Sequence, residues 1–339
     1  MTAKYLRRLG ISITIYTQHA EVVDFDQFDL LHFFNIIRPD DILPFIEKTN
    51  TPFVVSTIYV DYAEYEKANR KGILTALKLF DADQVEYIKA IGRYVKNGTK
   101  IKSGYYLWRG HNKAIRKILE KASLLLPNSE SEYKRLIERY PTKTDYRTIV
   151  NAVDIESFND SIGEDSKYTN HVLCVGRIEG RKNQLNLIKA LLDTKLELTI
   201  IGKPSPNHLI YYQKCKQTAQ NASNIKFLEH VTHKELATIF KAAKVHVLPS
   251  WFETTGLSSL EAAIMDCNLV ITPKGDTQEY FGDMVFYCEP DNIQSIRNAV
   301  LSAYDAPVNP QLKRHVLTNY TWQKAAEQTL LAYKEVLTK

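Results

Sequence analysis

The sequence is poor in cysteine, and its cysteines are scattered: Cys174, Cys215, Cys267 and Cys288, with no C-x-x-C pair. That pattern speaks against a disulfide framework and for reduced thiols in the core of a cytosolic protein. No apolar run is long enough to cross a bilayer as a helix. Met1 to Gly10 is basic where a signal peptide is apolar, so no leader is expected. Without secretion, the sequons Asn97-Gly98-Thr99 and Asn319-Tyr320-Thr321 carry no meaning. There is no short internal repeat, no low-complexity tract and no apparent metal cluster. Acidic residues are missing from one stretch: Lys89 to Lys117 holds nine Lys or Arg and no Asp or Glu.

What is present is ordinary globular composition over 339 residues, which suggests two domains at roughly 150 residues each. Strand patterns at Ile11–Tyr16, Leu30–Phe34, Phe53–Thr57 and Leu124–Pro127 alternate with helical ones, notably Asp41–Lys48 and Asn112–Lys121. A polar, unpatterned stretch from Asn159 through Ser166 reads as a linker. The alternation then restarts with Val172–Val175, Leu196–Ile201, Ile225–Leu228, Val245–Pro249, Leu269–Thr272 and Met284–Tyr287, and ends in a helix from Trp322 to Val336. Such β/α alternation predicts parallel sheets with helices on both faces.

Two segments of the second half carry chemistry. In Phe252-Glu253-Thr254-Thr255-Gly256-Leu257-Ser258-Ser259-Leu260-Glu261, two carboxylates bracket a tight turn that opens a helix. The free N–H groups of that helix start can hold a phosphate, while carboxylates accept hydrogen bonds from hydroxyls. Upstream, Val172-Leu173-Cys174-Val175 ends at Gly176, and a cationic loop with Arg177 and Lys182 follows. Ligands of open α/β sheets bind beyond the carboxyl ends of strands, where both cations would project. A guanidinium grips phosphate oxygens as a fork and an ammonium as a point charge. Each segment alone also suits a solvated helix start or basic loop. Their occurrence in order, each at a strand end, favours a site for a nucleotide-sugar.

These residues make the chain resemble a family 4 (group 1) glycosyltransferase, from about Gly10 to the C-terminus and most strongly over residues 170 to 290. The family's E-x7-E motif is matched by Glu253 and Glu261, with Gly256 and Leu257 inside it, and its Gly-Arg…Lys loop by Gly176, Arg177 and Lys182. Weaker matches are Ala122 to Ser129 and Asn151-Ala152-Val153-Asp154, where Ala152 replaces the usual glycine. The resemblance implies the GT-B fold: two Rossmann-like β/α/β domains facing across a cleft. Residues 1–160 would form the acceptor-side domain, 168–320 the donor-binding domain, and 321–339 a helix crossing back. It implies retaining transfer from a nucleoside-diphosphate sugar to a glycan or lipid-linked hydroxyl, with no cofactor and no obligatory metal. The catalytic set would be Glu253, Arg177 and Lys182. The donor-binding set would be Gly176, Gly202, Val231, Thr255, Gly256, Leu257 and Glu261, with Gly275 to Glu279 approaching the donor sugar. Cell-surface polysaccharide or lipopolysaccharide synthesis is the expected setting, in the cytoplasm or peripherally on the inner face of the membrane.

Departures from the family pattern lie in the first half. Thr2 to Gly10 reads as the end of a helix, with no first strand or glycine-rich loop before it. The histidine often found after the third strand of the family's first domain is missing; Ile58-Tyr59-Val60-Asp61 stands there. His32, Asp61 and Arg109 are the acceptor-side candidates. Asp24-Phe25-Asp26 and Asp81-Ala82-Asp83 mimic the D-x-D of the other major glycosyltransferase fold but read as polar turns or helix ends. The acid-free stretch 89–117, interleaved with Tyr94, Tyr105, Tyr106 and Trp108, suits an anionic membrane surface, an anionic acceptor or a solvated face. No nucleic-acid motif accompanies it. The missing strand and histidine leave a nucleotide-sugar-binding pseudoenzyme or partner subunit as the alternative. A GT-B phosphorylase or epimerase lacks support, since no pyridoxal-phosphate lysine motif is recognisable.

Overall fold

A computed structural model describes residues 1–17, 24–60, 82–97 and 101–338. The chain divides into two compact units, Met1–Val150 with Ala325–Lys339, and Asn151–Lys324.

The first unit is built on a parallel sheet of β1 (Leu31–Phe34), β2 (Phe53–Ser56) and β3 (Leu124–Leu125), in the order β1-β2-β3. Leu31 lies opposite Phe53, and Val54 opposite Leu124. Among its helices are α1 (Thr2–Arg8), α2 (Leu43–Ile46), α3 (Ala82–Asn97), α4 (Gly104–Lys121) and α5 (Glu130–Arg139). In α4, His111, Ala114, Ile115, Ile118 and Leu119 are buried. This is the 3.6-residue stripe that turns one helix face to a core. Gly110, at φ 75°, breaks α4 just before that stripe. Glu132 of α5 is buried and accepts hydrogen bonds from the Thr57 hydroxyl, Tyr59 N (2.8 Å), Asn128 N (2.9 Å) and Asn128 Nδ2 (3.0 Å). It ties the ends of β2 and β3 to the start of α5.

Ile11–Tyr16, expected as a strand, is not one. Among the described residues its period-2 pattern has no neighbouring strand to take up its N–H and C=O groups, which is what turns an alternating run into a strand. Instead the Ile11 amide donates to Leu6 O at 3.2 Å, and Arg7 Nη2 donates to Ile13 O at 2.7 Å. Ile15 is 63% exposed, and Tyr16 packs edge-on against Phe25 and Phe28. β3 is shorter than the expected Leu124–Pro127, because Pro127 has no N–H to continue a ladder.

The second unit is a six-stranded parallel sheet: β4 (Val172–Val175), β5 (Leu198–Ile201), β6 (Ile225–Leu228), β7 (Val245–Leu248), β8 (Asn268–Ile271) and β9 (Phe286–Tyr287). Its strand order is β6-β5-β4-β7-β8-β9. β4, β5, β7 and β8 are buried at every residue, as parallel strands are when helices cover both faces. The helices include α6 (Gln184–Leu191), α7 (Leu209–Ala219), α8 (His233–Ala242), α9 (Leu257–Ile264), α10 (Thr277–Phe281), α11 (Ile293–Asp305) and α12 (Pro310–Asn319); α13 (Trp322–Leu337) closes the chain. β4 touches both β5 and β7, so the winding direction reverses between β4 and β7. Such a reversal opens a crevice at the carboxyl ends of the two strands.

The division falls at Val150, ahead of the polar stretch read as a linker. Residues 151–153 are already bonded into the second unit: Asn151 N donates to the Tyr280 hydroxyl at 2.9 Å, and Val153 N to Tyr320 O at 2.9 Å. All four cysteines are free and buried. Among the described residues no helix is long and apolar enough to cross a membrane.

Candidate active site

The crevice at the reversal is lined by the loops that leave β4 and β7. β4 ends in Gly176, where the loop after β5 presses against it. A Cβ on Gly202 would lie 2.0 Å from Gly176 O, so only glycine permits that approach. Gly202 therefore supports the first loop from behind. Beyond Gly176, Arg177 projects outward with its side chain 70% exposed, 3.9 Å from Glu179. Lys182 turns inward, with its side chain 13% exposed. Its Nζ lies 2.5 Å from Glu253 Oε1, bringing together two residues 71 positions apart.

Asn183 makes that inward turn. It holds φ 62° at the start of α6, a left-handed conformation that Asn tolerates. Its buried amide nitrogen donates to Pro249 O at 3.0 Å and Pro290 O at 2.6 Å.

Glu253 follows β7 and is 4% exposed. Its backbone is paired with the loop after β8: Glu253 N donates to Lys274 O at 3.1 Å, and Asp276 N donates to Glu253 O at 2.9 Å. Gly275 stands between these bonds at φ 103°, and a Cβ there would meet Glu253 O at 1.9 Å. Burial pushes the Glu253 carboxyl up, but Lys182 and then Arg181 outweigh it and hold it below the usual carboxylate range. Glu253 is therefore an ionised acceptor at neutral pH.

Gly256, at φ 70°, caps α9, so the first amides of α9 have no partner within the helix. Leu257 is 48% exposed at this end. Thr255 is buried, and its hydroxyl accepts from Asn151 Nδ2 at 3.0 Å; it braces the turn from inside. Glu261, one turn into α9, is half-buried. Burial, with a smaller contribution from Asp154, raises its carboxyl to about 7. At neutral pH it is divided between neutral and ionised forms. Val231 lies beyond β6, at the sheet edge and two strands from β4.

The acceptor-side candidates, all in the first unit, fare differently. His32 sits within β1, with Nδ1 2.7 Å from the Tyr333 hydroxyl and Nε2 2.8 Å from Ser56 Oγ. Burial lowers its pKa to about 3. Both ring nitrogens are occupied internally, so His32 is a structural histidine. Asp61 lies outside the described residues. Arg109 is exposed on α4 beside Trp108, which is 86% exposed. Of the D-x-D mimics, Asp24 caps a turn through Asp26 N. Asp83 bonds to Tyr140, Asn112 and Arg139, and Asp81 lies outside the described residues.

Sequence reasoning passed over Asn183, Arg181 and the tight packing of Gly275. Asn183 had a signal, a residue suited to φ > 0 directly before a helix pattern.

The profile of the family described as glycosyl transferases group 1 matches residues 156–323. The chain belongs to this family. A D-inositol 3-phosphate glycosyltransferase of Pseudarthrobacter chlorophenolicus is 32% identical over 174 residues, covering 47% of this chain and 41% of the relative. The N-acetylgalactosamine-N,N'-diacetylbacillosaminyl-diphospho-undecaprenol 4-alpha-N-acetylgalactosaminyltransferase of Campylobacter jejuni is 26% identical over 289 residues, 78% of this chain and 74% of the relative. The structure of Anabaena HepE in complex with UDP-glucose aligns with a TM-score of 0.62 at 15% identity, covering 90% of this chain and 99% of that one. The matches to the first curated relatives span about two-fifths of those proteins' length. The fold of this group 1 member is that of GT-B glycosyltransferases, α/β with parallel sheets.

Proposed function

We propose that the chain is a retaining, metal-independent glycosyltransferase. It would move a sugar from a nucleoside-diphosphate sugar to a hydroxyl of a glycan or lipid-linked acceptor, in cell-surface polysaccharide or lipopolysaccharide synthesis. The observation that carries this reading is the Lys182–Glu253 pair, 2.5 Å apart beside the glycine-capped start of α9 at the sheet's reversal point. As the anomeric bond breaks, negative charge grows on the leaving diphosphate and positive charge on the sugar ring. Arg177, Lys182 and the amides of Gly256 and Leu257 would receive the first. Ionised Glu253 would accept hydrogen bonds from the sugar hydroxyls and orient the ring. Glu261 would take the ribose hydroxyls, the role acidic residues have in other nucleotide folds. HepE, of the same fold, was solved with UDP-glucose, and the Campylobacter relative is named for an undecaprenol-linked acceptor.

Transfer from an α-linked donor in the presence of chelator tests the chemistry. Proton NMR of the first product should show an α-linkage, at a rate unchanged by chelator. A β-linked product would overturn retention, and complete loss in chelator would overturn metal independence.

The acceptor reading extends to a surface. In α4, Leu107 is 46% exposed, Trp108 86% exposed and Arg109 exposed, within the stretch that has nine Lys or Arg and no acid. A lone exposed Trp amid cations suits anionic lipid, at about 1 kcal/mol per cation near the surface. The protein should co-sediment with vesicles containing phosphatidylglycerol but not with phosphatidylcholine alone, and Trp108→Ala should weaken this severalfold. Equal recovery with both lipids would remove the membrane from the proposal.

A further inference from the structure

We propose that Arg181 is the positioning residue for Glu253, keeping that carboxylate in place when Lys182 leaves it for the donor's diphosphate. The proposal rests on the nucleotide-sugar reading above.

The three cations of the loop are held in different ways. Arg177 is mostly in solvent. Lys182 reaches Glu253 through a single ammonium on a flexible stem. Gly176 leaves that stem room, since even a Cβ there would be 3.9 Å from Lys182 Cε. Arg181 is clamped. Its Nη1 donates to Phe252 O at 2.9 Å and lies 3.5 Å from Glu253 Oε1, and its Nη2 donates to Glu179 Oε1 at 3.0 Å. Its own carbonyl accepts from Trp251 N at 2.9 Å. Glu179 is in turn fixed by the Ser205 hydroxyl, which donates to Oε2 at 3.0 Å. Arg181 thus joins the loops after β4, β5 and β7, and turning away would take from the buried Glu179 its 3.0 Å cation and leave it Arg177 at 3.9 Å and the Ser205 hydroxyl.

Glu253 therefore has one cation free to move and one that is not. A diphosphate at the start of α9 carries more negative charge than a single carboxylate and competes with Glu253 for Lys182. When Lys182 goes over to phosphate, a Glu253 without Arg181 would be a nearly dry carboxylate with no cation. Such a group takes up a proton or swings away. With Arg181 in place, it stays ionised beside Phe252 and presents its oxygens to the sugar.

The titratable groups around Glu253 include His246 on β7 and Cys174 on β4, and two buried acids of the adjoining loops, Glu179, which shares Arg181, and Asp276, whose amide bonds Glu253 O. Burial lowers His246 to about 3 and raises the Cys174 thiol to about 12. Neither His246 nor Cys174 changes charge between pH 5 and pH 8, so an acid limb in sugar binding reports a carboxylate of this cluster, and its disappearance in Glu253→Gln would mark it as that of Glu253. Glu261, which titrates near 7, would affect diphosphate and nucleotide-sugar alike and cancels in their ratio.

The test is calorimetry of the full chain and its Arg181→Met and Arg181→Lys variants. Each is titrated with UDP, GDP, ADP and TDP and with their glucose or mannose conjugates, from pH 5 to pH 8. The readout is the ratio of nucleotide-sugar to nucleoside-diphosphate affinity, the sugar's own contribution. Arg181→Met should leave diphosphate affinity within threefold of wild type and cut the ratio about tenfold, the size expected for a hydrogen bond to a misplaced or protonated carboxylate. Losing a cation raises the Glu253 pKa, so the ratio should collapse at a higher pH in Arg181→Met than in wild type as pH falls. Arg181→Lys, which keeps the charge but not the bonds of both Nη1 and Nη2, should return the acid limb toward that of wild type and restore the ratio only in part. An unchanged ratio and acid limb in Arg181→Met would overturn the proposal, as would equal loss of diphosphate and nucleotide-sugar binding, which marks general support of the loop. Wild type that binds no nucleotide would instead overturn the underlying nucleotide-sugar reading, and this proposal with it.

Discussion

Replacing Lys182 with alanine should lower donor turnover by a hundredfold or more while leaving the protein folded. The ammonium lies in the crevice beside the start of α9, already near where a leaving diphosphate would develop charge. Removing one such preorganised contact costs about 3 kcal/mol of transition-state stabilisation, roughly a hundredfold in rate. Stability should fall much less than when a buried charge loses its sole partner, about 3–5 kcal/mol, because Arg181 remains 3.5 Å from the Glu253 carboxylate. Initial rates of nucleoside-diphosphate release and a thermal melt, run side by side, check both halves. Turnover within threefold of wild type would remove Lys182 from the chemistry. A variant that melts at room temperature would show that the pair is structural.

Gly275→Ala should damage both stability and activity although Gly275 carries no functional group. Its φ of 103° is one that side-chain-bearing residues rarely adopt, and the added Cβ would stand 1.9 Å from Glu253 O and 3.1 Å from Glu253 N. The contacting atoms are backbone, so no side chain can rotate away. Either the loop after β8 or Glu253 must move by more than an ångström. Strain and displaced packing of this kind cost about 1–3 kcal/mol each, and a 1 Å misplacement of a catalytic group costs about a hundredfold in rate. Gly104→Ala is the matched control. It has an ordinary φ and nothing within 4 Å of the new Cβ, so it should stay within about 0.5 kcal/mol of wild type. Denaturant melts and turnover of the two variants decide it. Indistinguishable melts would mean that the two loops are looser than their backbone bonds imply.

The second unit was legible in the sequence because its inner strands β4, β5, β7 and β8 are short, mostly apolar runs ending in loops, and strands buried on both faces read that way. Lys182 and Glu253 were legible as separate candidates, each at a strand end. Their direct pairing was not, since nothing local in the chain shows that Arg181 and Lys182 turn inward and Arg177 outward. Arg177 and Lys182 looked equivalent, and the left-handed Asn183 separates them. Gly275 was legible only as a glycine after a strand. The backbone it must let pass lies 22 residues earlier and is brought there by the pairing of β7 with β8. In the first unit, Ile11–Tyr16 has the alternation of a strand but no partner strand among the described residues, and periodicity cannot report whether a partner is there. His32 read as a site histidine at a strand end, and it lies inside β1. Its occupants, Ser56 and Tyr333, come from 24 and 301 residues away.

The measurement that tests the central claim most directly is calorimetric titration of UDP, GDP, ADP and TDP into the full-length chain and Lys182→Ala, in chelator at neutral pH. The expected result is binding of one diphosphate by wild type, lost or weakened at least tenfold in Lys182→Ala. No binding of any of the four by folded wild type, or equal binding by the variant, would contradict a donor site built on Lys182, Glu253 and the start of α9.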